Sequence, residues 1–358
     1  MKKSLLLSLA CGAVLAIAGC SKSHNDDTQT NDATLEGKVI VDFANVLANP
    51  NYADLQAKAS TLKDAVNTLV ATPNAANLLA AQTAWKNTRV PWEQCEGFLF
   101  GPVEDFDYDP IMDTWPVDKN ELDAILASSN PLGVSDVDAL QQSQKGFHAI
   151  EYIIFGPGGT QKADNITARE KTYLTSLAQS LYNTTVQLKN SWDPSSGNFT
   201  KQVTSAGSGS TTFATRKDLF IALVGSMADI CGEVSSSKME VPFAAKDSTL
   251  DESSFSHNSV ADFKNNITGI LNAYMCTYNG AGGTGLNQLV ASKNASLDAK
   301  LQSQMKAAIA AFSTITVTYE RAIYEQPTQV KAVQASINTL QATLEGDLTN
   351  FVNTNIKD

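Results

Sequence analysis

Residues 330–351 read VKAVQASINTLQATLEGDLTNF. This stretch places an apolar side chain at every third or fourth position, which is the spacing of one face of an α-helix. The apolar face consists of Val330, Val333, Ile337, Leu340, Leu344, Leu348 and Phe351. A stripe of this length predicts a long amphipathic helix that buries one side against neighbouring helices.

The same period recurs through most of the chain. The stretches that carry it lie at residues 55–69, 78–85, 122–126, 135–155, 174–188, 213–231, 260–274 and 301–323. Helix starts are predicted at Thr72, which a proline follows, and at Asp118 and Thr167, each with a glutamate three residues later. Residues 37–43, GKVIVDF, are compatible with a single isolated strand.

These patterns predict an all-α fold made of two helical-bundle-like halves that pack together. Residues 204–212, TSAGSGSTT, interrupt the helical pattern and mark the expected boundary. An N-terminal helical domain is therefore expected at residues 35–200 and a C-terminal one at residues 213–358. The similar helix spacing in the two halves is compatible with an internal duplication.

Residues 1–19 have the organisation of a lipoprotein signal peptide. Two lysines precede a short apolar run, and the run ends in Ala18-Gly19-Cys20, which resembles a bacterial lipobox. We expect cleavage before Cys20 and lipidation of its thiol; the alternative is an ordinary secretory signal cut near Gly19. The polar residues that follow, up to position 34, predict a flexible tether.

A lipidated Cys20 would place the protein in the cell envelope, anchored to a membrane. The outer membrane is the expected one, and the protein would face either the periplasm or the cell surface. The chain has a net charge of −11, which becomes −13 without the two signal-peptide lysines. Such an acidic surface repels phosphate groups, so we expect no nucleic-acid partner. The 43% hydrophobic content excludes a largely disordered chain.

The cysteines of the expected mature body leave two alternatives open. Cys95, Cys231 and Cys276 have no CxxC spacing. In an oxidising compartment, one disulfide with one remaining thiol is compatible with this number. Three buried, unpaired cysteines are equally compatible.

The chemistry-bearing residues concentrate in the first half. His148 and Glu151 lie three positions apart on the predicted helix 135–155, so both point to one side. A hydrogen-bonded His–Glu pair and a metal site both have this spacing. Glu93 and Glu96 form a second such pair beside tryptophans, and Arg89 stands one turn before Glu93. An Arg89–Glu93 ion pair at the core edge is the alternative there.

If the two pairs meet, the site offers one nitrogen and several oxygen ligands. This donor set suits iron, manganese or zinc. Spacing alone does not establish that the pairs meet.

The segment Gly146-Phe-His148-Ala-Ile-Glu151 resembles the GxHxxE signature of the imelysin family. Further motifs of the family occur in the same order: Trp85…Arg89…Trp92-Glu93…Phe100-Gly101-Pro102, Asp113-Thr114-Trp115-Pro116, Phe255-Ser256…Asp262…Asn266…Gly269, and Tyr278…Gly285-Leu286…Leu289-Val290. The resemblance extends from about residue 35 to the C-terminus.

The resemblance implies an all-helical body with a site near the interface of its two halves, and an association with iron-uptake machinery. It implies a bound metal ion, iron in the first place and zinc as an alternative. The implied metal ligands are His148, Glu151, Glu93 and Glu96. The implied pocket or supporting residues are Arg89, Asp113 and Ser256.

Three functions follow as hypotheses. The first is an envelope lipoprotein that binds iron, or an iron-bearing ligand, without catalysis. The second is a metallopeptidase with the same ligands. It is less favoured because Ala149 follows His148 and Tyr152 follows Glu151, so neither HExxH nor HxxEH is present. The third is a polysaccharide- or peptide-binding module with Trp85, Trp92 and Trp115 lining an open cleft.

Overall fold

The computed structural model describes residues 35–357. It is 77% helical, which confirms the all-α fold. The predicted signal peptide, the lipidation site Cys20 and the whole predicted tether lie outside the described residues.

The helices follow one another along the chain with short connections. Their bounds are α1 at residues 35–71, α2 Ala75–Cys95, α3 Pro102–Asp105, α4 Tyr108–Asp113, α5 Lys119–Ala127, α6 Val134–Asp138, α7 Gly146–Phe155, α8 Ala168–Trp192, α9 Phe199–Thr204, α10 Arg216–Gly232, α11 Glu240–Ala245, α12 Ser259–Met275, α13 Leu286–Lys293, α14 Ala295–Ala311, α15 Tyr319–Glu325, α16 Pro327–Thr343 and α17 Thr349–Asn355.

Shorter elements complete the described chain. π-Helical segments occupy Phe43–Ala48 within α1, Glu233–Lys238 after α10 and Leu344–Leu348 between α16 and α17. The 3₁₀ turns are Glu96–Phe98, Gln142–Gln144, Pro157–Gly159, Ala163–Asn165, Ser248–Leu250 and Phe312–Thr314. The strands β1 Thr277–Tyr278 and β2 Ala281–Gly282 form a small antiparallel hairpin.

Each half is a bundle of long helices. In the N-terminal half, comprising α1 to α9, α1 packs along α2 and α8, and α7 packs against α8. In the C-terminal half, α16 packs against α10 and α14, and α12 packs against α14. The seven apolar side chains of the stripe at residues 330–351 are all buried, which confirms the prediction of a core-facing helix there.

A close backbone crossing joins the two halves. The end of α2 and the turn Glu96–Phe98 pack against α12. Two glycines allow this approach: a Cβ on Gly97 would lie 2.9 Å from the carbonyl carbon of Gly269, and a Cβ on Gly269 would collide with the backbone oxygen of Gln94. The crossing brings the acidic end of α2 next to α12.

Two predictions near the first helices are wrong. Residues 37–43 are helical, because Val39, Ile40 and Phe43 fall on one helix face and are buried together. The helix expected to start at Thr72 starts two residues later, where the Asn74 side chain accepts the amide of Asn77. The predicted caps are confirmed further along: Asp118 caps α5 and Thr167 caps α8 in a capping box.

The predicted helix at residues 135–155 is also wrong in its extent. It is divided into α6, a 3₁₀ turn and α7, because Lys145 is extended and Gly146 has a φ of +77°. Gly146 has no alternative there, since a Cβ would collide with the backbone oxygen of Met112. Likewise, residues 301–323 form α14 and α15 with a break at the turn Phe312–Thr314.

The cysteines and the most apolar helix belong to the core. Cys95, Cys231 and Cys276 are buried and unpaired, which corresponds to the second of the two alternatives above. The continuous helical stretch Arg216–Ala245 has the length and apolarity of a membrane span, but 61% of its most apolar window is buried inside the protein. A buried core helix meets the same criteria.

The glycine crossing yields a stability prediction. We expect Gly269→Ala to lower the free energy of unfolding by about 1–3 kcal/mol, because the added methyl group forces the two halves apart. Gly225→Ala is the matched control, since Gly225 lies in helix α10 with open space around its Cβ position. That substitution should raise stability by about 0.5–1 kcal/mol. Urea unfolding followed by circular dichroism measures both changes in the free energy of unfolding. The same change in both variants would contradict the tight crossing at Gly269.

Candidate metal centre

Charged and polar side chains from both halves meet at this crossing. The N-terminal half contributes Arg89 and Glu93 from α2, Glu96 just after it, Asp113 at the end of α4, and His148 and Glu151 from α7. The C-terminal half contributes Lys238, Glu252, Asp262 and Asn266. All ten are at most 4% exposed, so the cluster is shielded from water.

His148 lies between two carboxylates. Its Nδ1 is 2.8 Å from Glu151 Oε2, and its Nε2 is 3.1 Å from Asp113 Oδ1. The first contact has hydrogen-bond geometry, whereas the second is close without being aligned as a hydrogen bond. Burial opposes the charged imidazole, yet Asp113 and Glu151 raise the pKa of His148 to about 10. The ring is therefore held in a fixed orientation, with Nε2 facing the rest of the cluster.

Glu151 connects this pair to the C-terminal half. Its Oε1 accepts the backbone N–H of Ser256 at 2.7 Å. The Ser256 hydroxyl points elsewhere, to the carbonyl of Ser253. Ser256 thus contributes through its main chain, and the GxHxxE helix is fastened to the other half through its glutamate.

Arg89 is the central cation of the cluster and is completely buried. Its guanidinium pairs with Glu93 and Asp113 from its own half. It also contacts Glu252 Oε1 at 2.7 Å, and its Nε lies 3.6 Å from Asp262 Oδ1. One guanidinium therefore compensates carboxylates on both sides of the crossing. Burial opposes ionisation of Asp113, but Arg89 and His148 hold the pKa of this carboxyl well below its usual range.

Lys238 is a second buried cation, supplied by the π-helical segment after α10. Its Nζ lies 3.0 Å from Glu252 Oε1 and 3.2 Å from Glu96 Oε2. The amide of Asn266 donates to Glu93 and Glu96 together. The predicted Glu93–Glu96 pair thus faces Lys238 and Asn266, while the His148–Glu151 pair lies beyond Arg89 and Asp113.

Negative charge exceeds positive charge in this cluster. Six buried carboxyl groups face three cationic side chains, so full ionisation would leave an excess of three negative charges. The carboxyl groups are Glu93, Glu96, Asp113, Glu151, Glu252 and Asp262. Burial, only partly offset by the cations, raises the pKa of Glu93 and Glu96 well above the usual value and that of Asp262 to about 6. The cluster therefore retains protons at neutral pH.

The tryptophans of the motifs support the cluster from within. Trp92 donates its indole N–H to Asp113 Oδ2 at 2.6 Å, and Trp85 donates to the carbonyl of Phe147 at 2.9 Å. Both are fully buried, while Trp115 is half-buried with Lys238 Nζ 4.8 Å from its ring centroid. Trp85 and Trp92 are therefore unavailable as an open stacking surface for sugars or peptides.

Comparison with known proteins decides the family. The imelysin family model, also named peptidase M75, matches residues 48–345. The chain belongs to the imelysin family. Iron-regulated protein A of Synechococcus elongatus is 32% identical over 262 residues, which cover 73% of this chain and 70% of that protein.

Solved structures extend the likeness to the fold. One is a Parabacteroides distasonis protein assigned as an iron-regulated protein A precursor. It is similar to this chain with a TM-score of 0.80 and 26% identity, and the match covers 87% of this chain and 94% of that one. An imelysin-like protein from Psychrobacter arcticum has a TM-score of 0.74 and 12% identity, covering 91% and 98%. The second likeness concerns the fold alone.

In this imelysin-family protein, one set of donor atoms is suited to a metal ion. Among the described residues, Asp113, His148 and Glu252 each offer an atom within 4.8 Å of the other two. His148 Nε2 and Glu252 Oε2 are buried without a hydrogen-bond partner. Buried polar atoms without a partner are costly unless something binds them. The ligand role of Glu151, Glu93 and Glu96 stays a prediction.

Glu252 and Lys238 were not found from the sequence. Glu252 belongs to an acidic pair, Asp251-Glu252, only a few positions before the Phe255-Ser256 motif. That proximity is the signal that could have indicated it. Lys238 follows a run of serines in which nothing distinguishes it from a surface lysine. Its burial results from the π-helical turn and the packing around it.

Removal of Arg89 tests the central ion pairing. We expect Arg89→Met to lower the free energy of unfolding by about 3–5 kcal/mol, because it leaves several buried carboxylates uncompensated. Arg321→Met is the control, since Arg321 pairs with Glu325 on the protein surface. It should leave the urea midpoint almost unchanged. Similar midpoints for the two variants would contradict the central role of Arg89.

Proposed function

We propose that this imelysin-family protein binds a metal ion, in the first place iron, in the buried cluster between its halves, and serves iron uptake without catalysis. The observation that carries the proposal is the convergence of Asp113, His148 and Glu252. Their donor atoms lie within 4.8 Å of one another inside a cluster with excess negative charge.

The charge of the cluster supports a cation as its ligand. Buried carboxylates need a compensating charge, and the three side-chain cations present do not suffice. Protons supply the remaining compensation while no metal is bound. A divalent or trivalent ion would replace those protons and satisfy the unpartnered atoms of His148 and Glu252.

The donor types support iron over a soft metal. One imidazole nitrogen and two carboxylate oxygens suit iron, manganese or zinc, and the donor set Asp113, His148 and Glu252 contains no thiolate. Glu151 would orient His148 through its Nδ1 hydrogen bond, the usual arrangement around a ligating histidine. The names of two relatives, both iron-regulated protein A, support iron as the ion concerned.

The proposal includes an envelope location. Lipidated Cys20 would anchor the protein to a membrane, expected to be the outer membrane, and the polar tether would separate the helical body from it. In that position the protein would hand its metal to, or receive it from, uptake machinery in the envelope.

Metal binding is the first test. We expect the mature chain, residues 20–358 with Cys20→Ser, to bind about one Fe²⁺ ion per molecule under anaerobic conditions. Glu252→Gln and His148→Gln should each weaken the affinity by at least about tenfold, and Glu151→Gln by about 10–100-fold. Isothermal titration calorimetry measures the affinities, and circular dichroism checks the fold.

Glu325→Gln is the matched control for Glu252→Gln, because Glu325 is an exposed glutamate in a surface ion pair. It should bind iron like the wild type. The metal site would be refuted if the folded wild-type protein bound no iron. It would also be refuted if Glu252→Gln and His148→Gln bound iron as tightly as the wild type. A preference for zinc together with peptide cleavage would favour the metallopeptidase alternative.

The anchor has its own test. We expect the full-length protein to partition into the detergent phase of a Triton X-114 extraction, and the Cys20→Ser variant to stay in the aqueous phase, because lipidation requires the thiol. Unchanged partitioning of the variant would contradict lipidation at Cys20.

A further inference from the structure

A cavity of about 730 Å³ opens between the two halves beside the buried cluster. The N-terminal half contributes residues 116–120, which precede and begin α5, and residues 157 and 158 in the turn after α7. The C-terminal half contributes residues 248–252, 254, 255 and 257, together with Glu320 from α15. The volume is large enough for a small organic molecule.

The cavity has acidic groups with unused hydrogen-bonding capacity. Asp251 is 1% exposed; its Oδ2 accepts the hydroxyl of Ser259 at 2.7 Å, whereas its Oδ1 is buried without a partner. Glu320 is similar, since its Oε1 contacts His257 Nδ1 at 2.8 Å and its Oε2 is buried without a partner. Each carboxyl group therefore has an oxygen free to accept a hydrogen bond from a ligand.

The basic side chains of the cavity wall already have partners. Lys119 Nζ pairs with Asp123 outside the cavity at 3.2 Å, and His257 pairs with Glu320. Glu252 also lines the cavity, although its Oε1 already pairs with Arg89 and Lys238. Four carboxyl groups, against two basic side chains, therefore line the cavity, an excess that favours a cationic ligand.

The remaining walls are apolar, with Val117, Leu250 and Phe255 prominent among them. A lone metal ion would leave such walls unused. In addition, among the described residues only Asp113, His148 and Glu252 bring three donor atoms close enough to share one ion. Among the same described residues, Asp251 and Glu320 belong to no such set of three donors.

We propose that this cavity binds an organic cation, namely a primary ammonium or guanidinium group carried on a slender apolar body. The cationic head donates hydrogen bonds to the free oxygens of Asp251 and Glu320, and the body lies against Val117, Leu250 and Phe255. This site is separate from the proposed metal centre, although Glu252 adjoins both.

The test uses agmatine and hexylamine as cationic probes and 1-hexanol as the neutral analogue. The protein is the mature chain, residues 20–358 with Cys20→Ser, without added metal. We expect both amines to bind with dissociation constants below about 1 mM, and 1-hexanol to show no comparable binding. Glu320→Gln and Asp251→Asn should each weaken amine binding by about tenfold or more, because each replaces a carboxyl group, which can become the counter-ion of the amine, by a neutral amide.

Glu325→Gln is the matched control, since it lies on the same helix, α15, as Glu320 but on the protein surface. It should bind the amines like the wild type. Glu320→Gln should also retain the wild-type affinity for Mn²⁺, which separates this proposal from the metal centre. Amine binding without any metal binding would refute the proposed function and leave this inference standing.

Three results would overturn the inference. The first is the absence of amine binding by the folded wild-type protein. The second is binding of 1-hexanol as tight as that of hexylamine, which would indicate an apolar cavity only. The third is a loss of Mn²⁺ affinity in Glu320→Gln, which would make the cavity part of the metal site. Asp251→Asn and the neutral analogue keep the test decisive if Glu320→Gln does not fold.

Discussion

The buried guanidinium of Arg89 is the interaction on which the rest of the site depends. It compensates Glu93 and Asp113 in its own half and Glu252 and Asp262 in the other. Arginine suits this position because it stays charged when buried and presents several donors in one plane. Without it, the carboxyl groups would have to spread apart or hold more protons. The halves are thus joined by electrostatics in addition to apolar packing.

The close crossing of α2 and α12 makes this pairing geometrically feasible. Gly97 and Gly269 remove the side chains that would otherwise separate the backbones. The carboxyl groups at the end of α2 then come within hydrogen-bond distance of Asn266. A polar cluster of this kind needs rigid support, because a small displacement would leave buried charges unpaired. The long helices on either side provide that support.

Periodicity in the sequence was sufficient for the fold class and for most of the helices. The stripe from Val330 to Phe351 was enough to predict a buried helix, because an apolar helical face of this length has to be covered by other helices. The breaks were harder to predict. The division before α7 depends on Gly146 approaching the backbone of Met112, a contact between distant segments that no local pattern contains.

The candidate site was predictable only in part, for the same reason. The signature around His148 and Glu151 and the pair Glu93–Glu96 were visible as spacings on helices. Their mutual arrangement was not, because Arg89 and Asp113 lie between the two pairs. Glu252 and Lys238 come from segments whose burial depends on how the second half folds over the first. Long-range packing, which spacing does not encode, therefore determined which carboxyl groups meet the imidazole.

The attachment of Glu151 to the Ser256 amide has a consequence for the order of events during maturation. The donor atoms of Asp113, His148 and Glu252 are brought together only after both halves have folded and docked. A chain that is still emerging, or that has completed its first half alone, lacks the third donor and the contact that fixes the imidazole. If the centre holds a metal ion as proposed, its loading would be the last step of maturation, and an incompletely folded molecule would not withdraw metal from its surroundings.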